Sequence, residues 1–237
     1  MTGLAIGRRA LPLLGLAAAI APARADTIDL ALTCDTTLAP VLRRLAAAYT
    51  VQSSARVFVF PTGPGLILPQ LERNIQNDIL VTQTTVLDQA TQHGLIADVA
   101  AVRWRNLMVI AGLPGRSVLD QTFAVTDPTP ASEVDGPAVL TRLGLTPKRV
   151  LGAVDSDEVA YLIASGSAQA GLLHMTDVRA GGLEVIQPVP TDILPPVVYR
   201  ACITRLADRP NPGGLLAFFA TQAAVRVLSD GGLEVLT

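Results

Sequence analysis

Charge is scarce in this sequence, and lysine is scarcest of all. Charged residues make up 16% of the 237 positions, aromatic residues 4%, and Lys148 is the only lysine. No basic stripe runs along any segment, so the electrostatic footprint of a nucleic-acid or anionic-membrane binder is missing. Histidine occurs twice, at His93 and His174, too seldom for a His-rich metal cluster. Cysteine also occurs twice, at Cys34 and Cys202, and neither belongs to a C-x-x-C pair, so a zinc site is not expected. An oxidising compartment permits a disulfide between them, and two separate buried thiols fit the sequence equally well. Apolar runs are short, well below the about 20 residues of a membrane-spanning helix. No segment calls for a cofactor.

What is present begins at the N-terminus. Arg8-Arg9 precedes an uncharged run from Ala10 to Ala21, and Ala23-Arg24-Ala25 follows. Positive charge, a short apolar core and an A-x-A site make a secretory leader, expected over residues 1–25. The arginine pair fits the general secretory route or the twin-arginine route. The working chain is then expected in the periplasm, beginning near Asp26. Loss of Arg8, Arg9 and Arg24 takes the 18 basic residues to 15, against 20 acidic ones. So acidic a chain can still hold an anion where backbone N–H groups and hydroxyls supply the positive potential.

Beyond the leader, strand-like segments alternate with helical ones, the pattern of a mainly parallel α/β sheet. Thr27–Leu32, Arg56–Phe60, Asp78–Thr82 and Leu107–Ala111 read as strands. Helices are expected after Thr37, over Leu66–Ile75 with Pro69 confined to the first turn, and over Val86–His93. A second set has strands at Thr122–Val125, Arg149–Ala153, Ala170–His174 and Leu183–Pro188. Its helices are expected over Glu133–Leu143 and Ser156–Ala164. Val197–Thr204 is extended again, and Gly213–Ser229 reads as one last helix. The expectation is a monomer of two α/β lobes with crossings near Leu107–Ala111 and Val197–Thr204. Lobe one takes residues 26–106 and 201–237, and lobe two takes residues 107–200.

Four loops follow strands and precede helices or turns. They carry Thr36-Thr37, Thr62-Gly63-Pro64-Gly65, Pro130-Ala131-Ser132 and Asp155-Ser156. In open α/β sheets ligands bind beyond the carboxyl ends of the strands, where helix N-termini offer free N–H groups. Thr37 and Ser156 each read either as a helix cap or as a hydroxyl aimed at a ligand. His174, ending an apolar strand, reads either as a satisfied core residue or as a ligand contact.

The order of segments resembles the periplasmic molybdate-binding proteins that feed ABC importers. The resemblance runs from Thr27 to Val235. It is carried by Gln70-Leu-Glu72, Asn77-Asp-Ile-Leu-Val-Thr82 and Asn106-Leu-Met-Val-Ile110. Thr126-Asp-Pro128 with Pro130-Ala131 is similar to the family's G-D-P…P-A-G loop. Gly171-Leu-Leu-His-Met-Thr-Asp177 is similar to its G-I-V-Y-x-T-D segment, and Val189-Pro190…Pro195-Pro-Val-Val-Tyr199 to its V-P…P-P-I-x-Y stretch. The resemblance implies a two-lobed type II solute-binding protein. Such a protein clamps a tetrahedral oxyanion, molybdate or tungstate, in a cleft and delivers it to a membrane permease. Carried over by position, the ligand residues are Thr37, Gly63, Pro64, Ala131, Ser156 and His174. Pro64 stands where the family has a serine, Ser156 where it has a valine that binds through its N–H, and His174 where it has a tyrosine. These departures open a second reading, a relative tuned to sulfate, phosphate or an organic acid. A third reading, an extracytoplasmic hydrolase, needs Ser156, His174 and Asp177 as a catalytic group and has no G-x-S-x-G elbow behind it. A fourth is an interaction protein with a degenerate pocket, for which Pro64 is the motive.

Overall fold

A computed structural model describes residues 29–53, 55–75, 77–115, 121–128 and 134–236. The expected leader and Ala131 lie outside the described residues. The first sheet is built from β1 (Asp29–Asp35), β2 (Arg56–Thr62), β3 (Ile79–Gln83), β4 (Ile96–Asn106), β10 (Val197–Thr204) and β11 (Leu233–Leu236), in the order β11-β4-β10-β3-β1-β2. The second holds β5 (Met108–Gly112), β6 (Thr122–Thr126), β7 (Arg149–Ala153), β8 (Ala170–His174) and β9 (Glu184–Pro188), in the order β7-β6-β8-β5-β9. The fold is a two-lobed mixed α/β architecture, each sheet flanked by helices.

The apolar spacing explains the layers. Helix α1 (Ala39–Ser53) buries Val41, Leu42, Leu45 and Tyr49, one face at helical period. That face meets Leu30, Leu32 and Cys34 of β1, together with α7 (Pro212–Phe218) and α8 (Gln222–Asp230). On the other face, α2 (Pro64–Glu72) and α3 (Thr84–Gln92) cover Leu80 and Cys202. Residues Ile79 to Thr82 of β3 are all buried, as a central strand covered on both sides must be. In the second sheet α4 (Gly136–Arg142) packs on Phe123 and Val125 from one side. From the other side, α5 (Ser156–Ala164) and α6 (Met175–Gly181) pack on Ala124 and Leu173.

The chain passes between sheets twice. β4 runs into β5 across Leu107 alone, and β9 returns to β10 through residues 189–196. All of Val197–Thr204 pairs in the first sheet, antiparallel to β3 and β4.

The structure departs from the sequence reading at three places and decides between the two readings of the cysteines. Residues 96–106 form an eleven-residue strand that the sequence pattern did not reveal. Its outward positions are mixed in polarity, and its partners β10 and β11 come from the far end of the chain. The last helix is two helices, because the Thr221 hydroxyl accepts from the N–H of Ala224 and starts a new one. Pro69 lies inside α2, not in its first turn, because the helix already starts at Pro64 behind Gly63. Cys34 and Cys202 are both free and buried. They belong to cores on opposite faces of the first sheet, which keeps their side chains apart. Burial pushes both thiols up to about 12.

Candidate functional site

Parallel strands place the candidate residues at the carboxyl edges of the sheets. In the first sheet β1 and β2 run in register from Asp29↔Arg56 to Asp35↔Thr62. The strands therefore end together, and the 3-10 turn Thr36–Leu38 lies beside Gly63, the N-cap of α2. Pro64 occupies the first helical position, where the missing N–H costs no helical bond. A Cβ added at Gly63 or Gly65 would meet nothing within 4 Å, so the turn faces open space. The N–H of Gly65, at the second helical position, has no acceptor within the helix.

Thr37 caps nothing. The N-cap of the turn is Asp35, and α1 starts only at Ala39. The Thr37 hydroxyl is buried, and no described residue offers it a hydrogen bond. Below it Asp35 is buried and accepts from the Thr82 hydroxyl at 2.7 Å. This pair ties the end of β1 to the centre of the sheet and fixes where the turn begins.

In the second sheet β6 is parallel to both β7 and β8, so Thr126, Ala153 and His174 end on the same side. The loop after β6 carries Ala131, which lies outside the described residues. The loop is tied down at both described ends. The Asp127 N–H donates to the Ala153 carbonyl at 2.9 Å, and the Thr126 hydroxyl donates to the Val134 carbonyl at 3.0 Å.

Ser156 is not the cap of α5 either. Asp155 is, accepting from the Glu158 N–H at 2.9 Å. Ser156 takes the first helical position, where its own N–H has no intrahelical acceptor. Its hydroxyl donates to Asp177 Oδ2 at 2.5 Å and accepts a long bond, 3.4 Å, from the His174 N–H. Ser156, His174 and Asp177 are therefore one buried group, joined across α5, β8 and α6. Burial pushes the Asp177 carboxyl up to about 6. The charge of His174 and the Ser156 bond pull it down, while Asp157 and Asp155 push it further up.

The two halves meet. The Thr36–Leu38 turn touches α6, whose N-cap is His174. The crossing strand holds α6 in place. The Asn106 side-chain amide donates to the Thr176 hydroxyl at 2.8 Å, and the Met175 N–H donates to the Leu107 carbonyl at 2.8 Å. The structure thus brings Thr37 and Gly63 together at one edge, Ser156 and His174 together at the other, and joins the two through α6.

Asn106 was quoted in the family resemblance without a role, and Asp35 was passed over. Both are buried polar residues at strand ends; Asp35 closes a largely apolar strand, a legible signal, whereas Asn106 closes the mixed-polarity β4. Among the described residues no His/Cys/Asp/Glu group could hold a metal ion.

A hydroxyl, helix N-termini and a buried imidazole, set at facing strand ends of two lobes, define a binding protein for a small solute. The chain belongs to the bacterial extracellular solute-binding proteins, a family whose profile matches residues 30–234. Such proteins work outside the cytoplasm. A comparison with curated protein sequences finds no significant match. Solved structures are similar in fold at low identity. A periplasmic molybdate-binding protein from Azotobacter vinelandii has 17% identity and TM-score 0.70, covering 88% of this chain and 100% of its own. PEB3 from Campylobacter jejuni, bound to L-phospholactate, has 13% identity and TM-score 0.64, covering 87% and 99%. Iron-bound HitA from Pseudomonas aeruginosa has 15% identity and TM-score 0.56, covering 85% and 84%. One architecture thus holds a metal oxyanion, an organic acid and iron in these relatives, so the cargo is set by side chains and not by the fold.

Proposed function

We propose that the site between the lobes captures a small tetrahedral oxyanion, molybdate or tungstate, for delivery to the membrane permease of an ABC importer. The observation that carries this reading is the Thr37 hydroxyl, buried and without a hydrogen-bond partner among the described residues. A buried polar group left unmade costs about 1–3 kcal/mol, and an anion oxygen removes that cost. The N–H groups of Gly65 and Ser156 and the imidazole of His174 supply further donors around the same space. With its single proton bonded to Asp177, the Ser156 hydroxyl leaves the Ser156 N–H for the ligand. That is the role the family gives to this position through its valine. Burial argues against a hydrolase, because a nucleophilic serine must reach its substrate, whereas Ser156 is buried with its hydroxyl turned to Asp177.

A second reading has its own observations. Pro64 has no N–H to offer, and a carboxyl lies under Ser156. A site one donor short and lined by Asp177 suits a different small anion, such as sulfate, phosphate or an organic acid.

Melting the mature chain against molybdate, tungstate, chromate, sulfate and phosphate separates these. The cargo at 100 times its Kd adds about 2.7 kcal/mol of stability. Thr37→Ala weakens that ligand by about 1–3 kcal/mol and leaves the unliganded protein at least as stable as before, because it removes a buried hydroxyl that bonds nothing there. A shift with sulfate or phosphate alone selects the second reading. No shift with any anion, or an unchanged affinity in Thr37→Ala, ends both.

A further inference from the structure

A cavity of about 260 Å³, with none of these donors in its lining, lies in the seam between α1 and α6. Pro40, Val41 and Arg44 line it from α1, Thr176 and Arg179 from α6, and Gly231 from the turn after α8. Its two charged residues are both arginines, one from each lobe, in a chain whose mature part carries more acid than base. Neither guanidinium has an ion pair or hydrogen bond with a described residue. Among the described residues no carboxylate lines the cavity. Two unneutralised like charges facing one space repel each other, and an anion between them turns that repulsion into two attractive contacts.

The backbone is shaped around this arrangement. A Cβ at Gly231 would meet Val41 Cβ at 2.8 Å and Arg44 Nη2 at 2.9 Å. Only a glycine lets the turn approach α1 and leaves the Arg44 guanidinium at the cavity wall. Gly232 has φ +96°, and its added Cβ would meet the Met175 carbonyl oxygen at 2.8 Å, so the same turn presses on the start of α6. On the opposite wall Thr176 is buried and fixed by Asn106 of the crossing strand.

We propose that this cavity is a second anion site, taking a small multiply charged oxyanion by forked contacts from Arg44 and Arg179. Guanidinium groups match the oxygens of such an anion in pairs. A bound anion joins α1 of one lobe to α6 of the other and so bridges the lobes outside the cargo site. The inference does not depend on which cargo the first site holds.

Inorganic phosphate is the probe, titrated calorimetrically into the mature chain at pH 8 and constant ionic strength set with chloride. The expected result is a phosphate-binding event whose Kd rises at least about tenfold in the Arg44→Gln/Arg179→Gln double variant. A charge-matched control, Arg149→Gln/Arg226→Gln, removes two exposed arginines elsewhere and keeps the event. Thr37→Ala keeps it as well, which separates it from binding at the first site. Melting curves establish that every variant is folded. Absence of the event in the wild type overturns the proposal. So does equal weakening in both double variants, which would mean general screening, and so does loss in Thr37→Ala, which would place the phosphate at the cargo site.

Discussion

At the scale of single residues, the buried group Ser156–His174–Asp177 sets the expected response to pH. Asp177 titrates near 6 in the fold because burial disfavours its charged form. An unfolded aspartate titrates near 3.9. The folded pKa is the higher one, so the stability tied to the protonated carboxyl is present below about 4 and is lost as pH rises through about 6. A shift of about two units corresponds to ~3 kcal/mol at most. Asp177→Asn keeps an acceptor for the Ser156 hydroxyl and removes the charge. Its stability relative to the wild type should therefore improve between pH 4.5 and pH 7.5, as measured by urea unfolding at both values. An equal difference at the two pH values would show that the carboxyl does not carry the effect. Binding follows the same sign. An ionised Asp177 under the site opposes an anion, so affinity should fall as pH rises through about 6. Asp177→Asn should flatten that fall. The ligand for this test is the best-bound anion whose own charge is constant from pH 5 to 8.

At the scale of elements, close approach decides where the site residues stand. α4 can lie on β6 only because its first residue is Gly136. A Cβ there would meet Val125 Cβ at 2.5 Å and the Thr126 carbonyl oxygen at 2.8 Å, neither of which is a flexible chain end. Gly136→Ala should lower stability by about 1–3 kcal/mol as an overpacked core position. It should also disturb the loop holding Ala131, because the Thr126 hydroxyl that closes the loop sits on the same strand end. Melting and anion affinity measured together check this. A variant as stable as the wild type would mean that α4 shifts freely. Gly152 is less constrained, since a Cβ there would meet only the Asp127 carboxylate, a side-chain end that can move.

At the scale of the whole molecule, two lobes joined by the short passage at Leu107 and the longer return through residues 189–196 can change their relation to one another. The passage at Leu107 is the stiffer of the two, because Asn106 and Leu107 both bond to α6. A solute gripped by donors from both lobes favours the closed arrangement and shifts the population toward it. Small-angle scattering of the mature chain should therefore report a monomer whose radius of gyration decreases on adding the cargo. A dimeric mass, or a radius indifferent to a bound ligand, would contradict the two-lobed clamp.

The sequence by itself determined much of this. Local patterning was enough for the strands at Arg56–Phe60, Asp78–Thr82, Thr122–Val125, Arg149–Ala153 and Ala170–His174, and for most of the helices that follow them. Alternation and helical period are written in neighbouring residues, and burial in each sheet rewards them. The loops carrying Thr37, Gly63 and Ser156 were legible for the same reason, since in parallel strands the turn after the strand is where a candidate site is sought. What tertiary structure alone decided is everything that depends on distant partners. β4 exists because β10 and β11, which follow it by nearly a hundred residues or more, pair along it. Cys34 and Cys202 stay apart because β1 and β10, with β3 between them, point them to opposite faces. The roles of two hydroxyls were settled by their surroundings and not by their position. Thr37 and Ser156 look alike in the sequence, each beside a helix start. In the fold one has a buried hydroxyl with no hydrogen-bond partner among the described residues, and the other donates a hydrogen bond to a carboxylate 21 residues away in the chain.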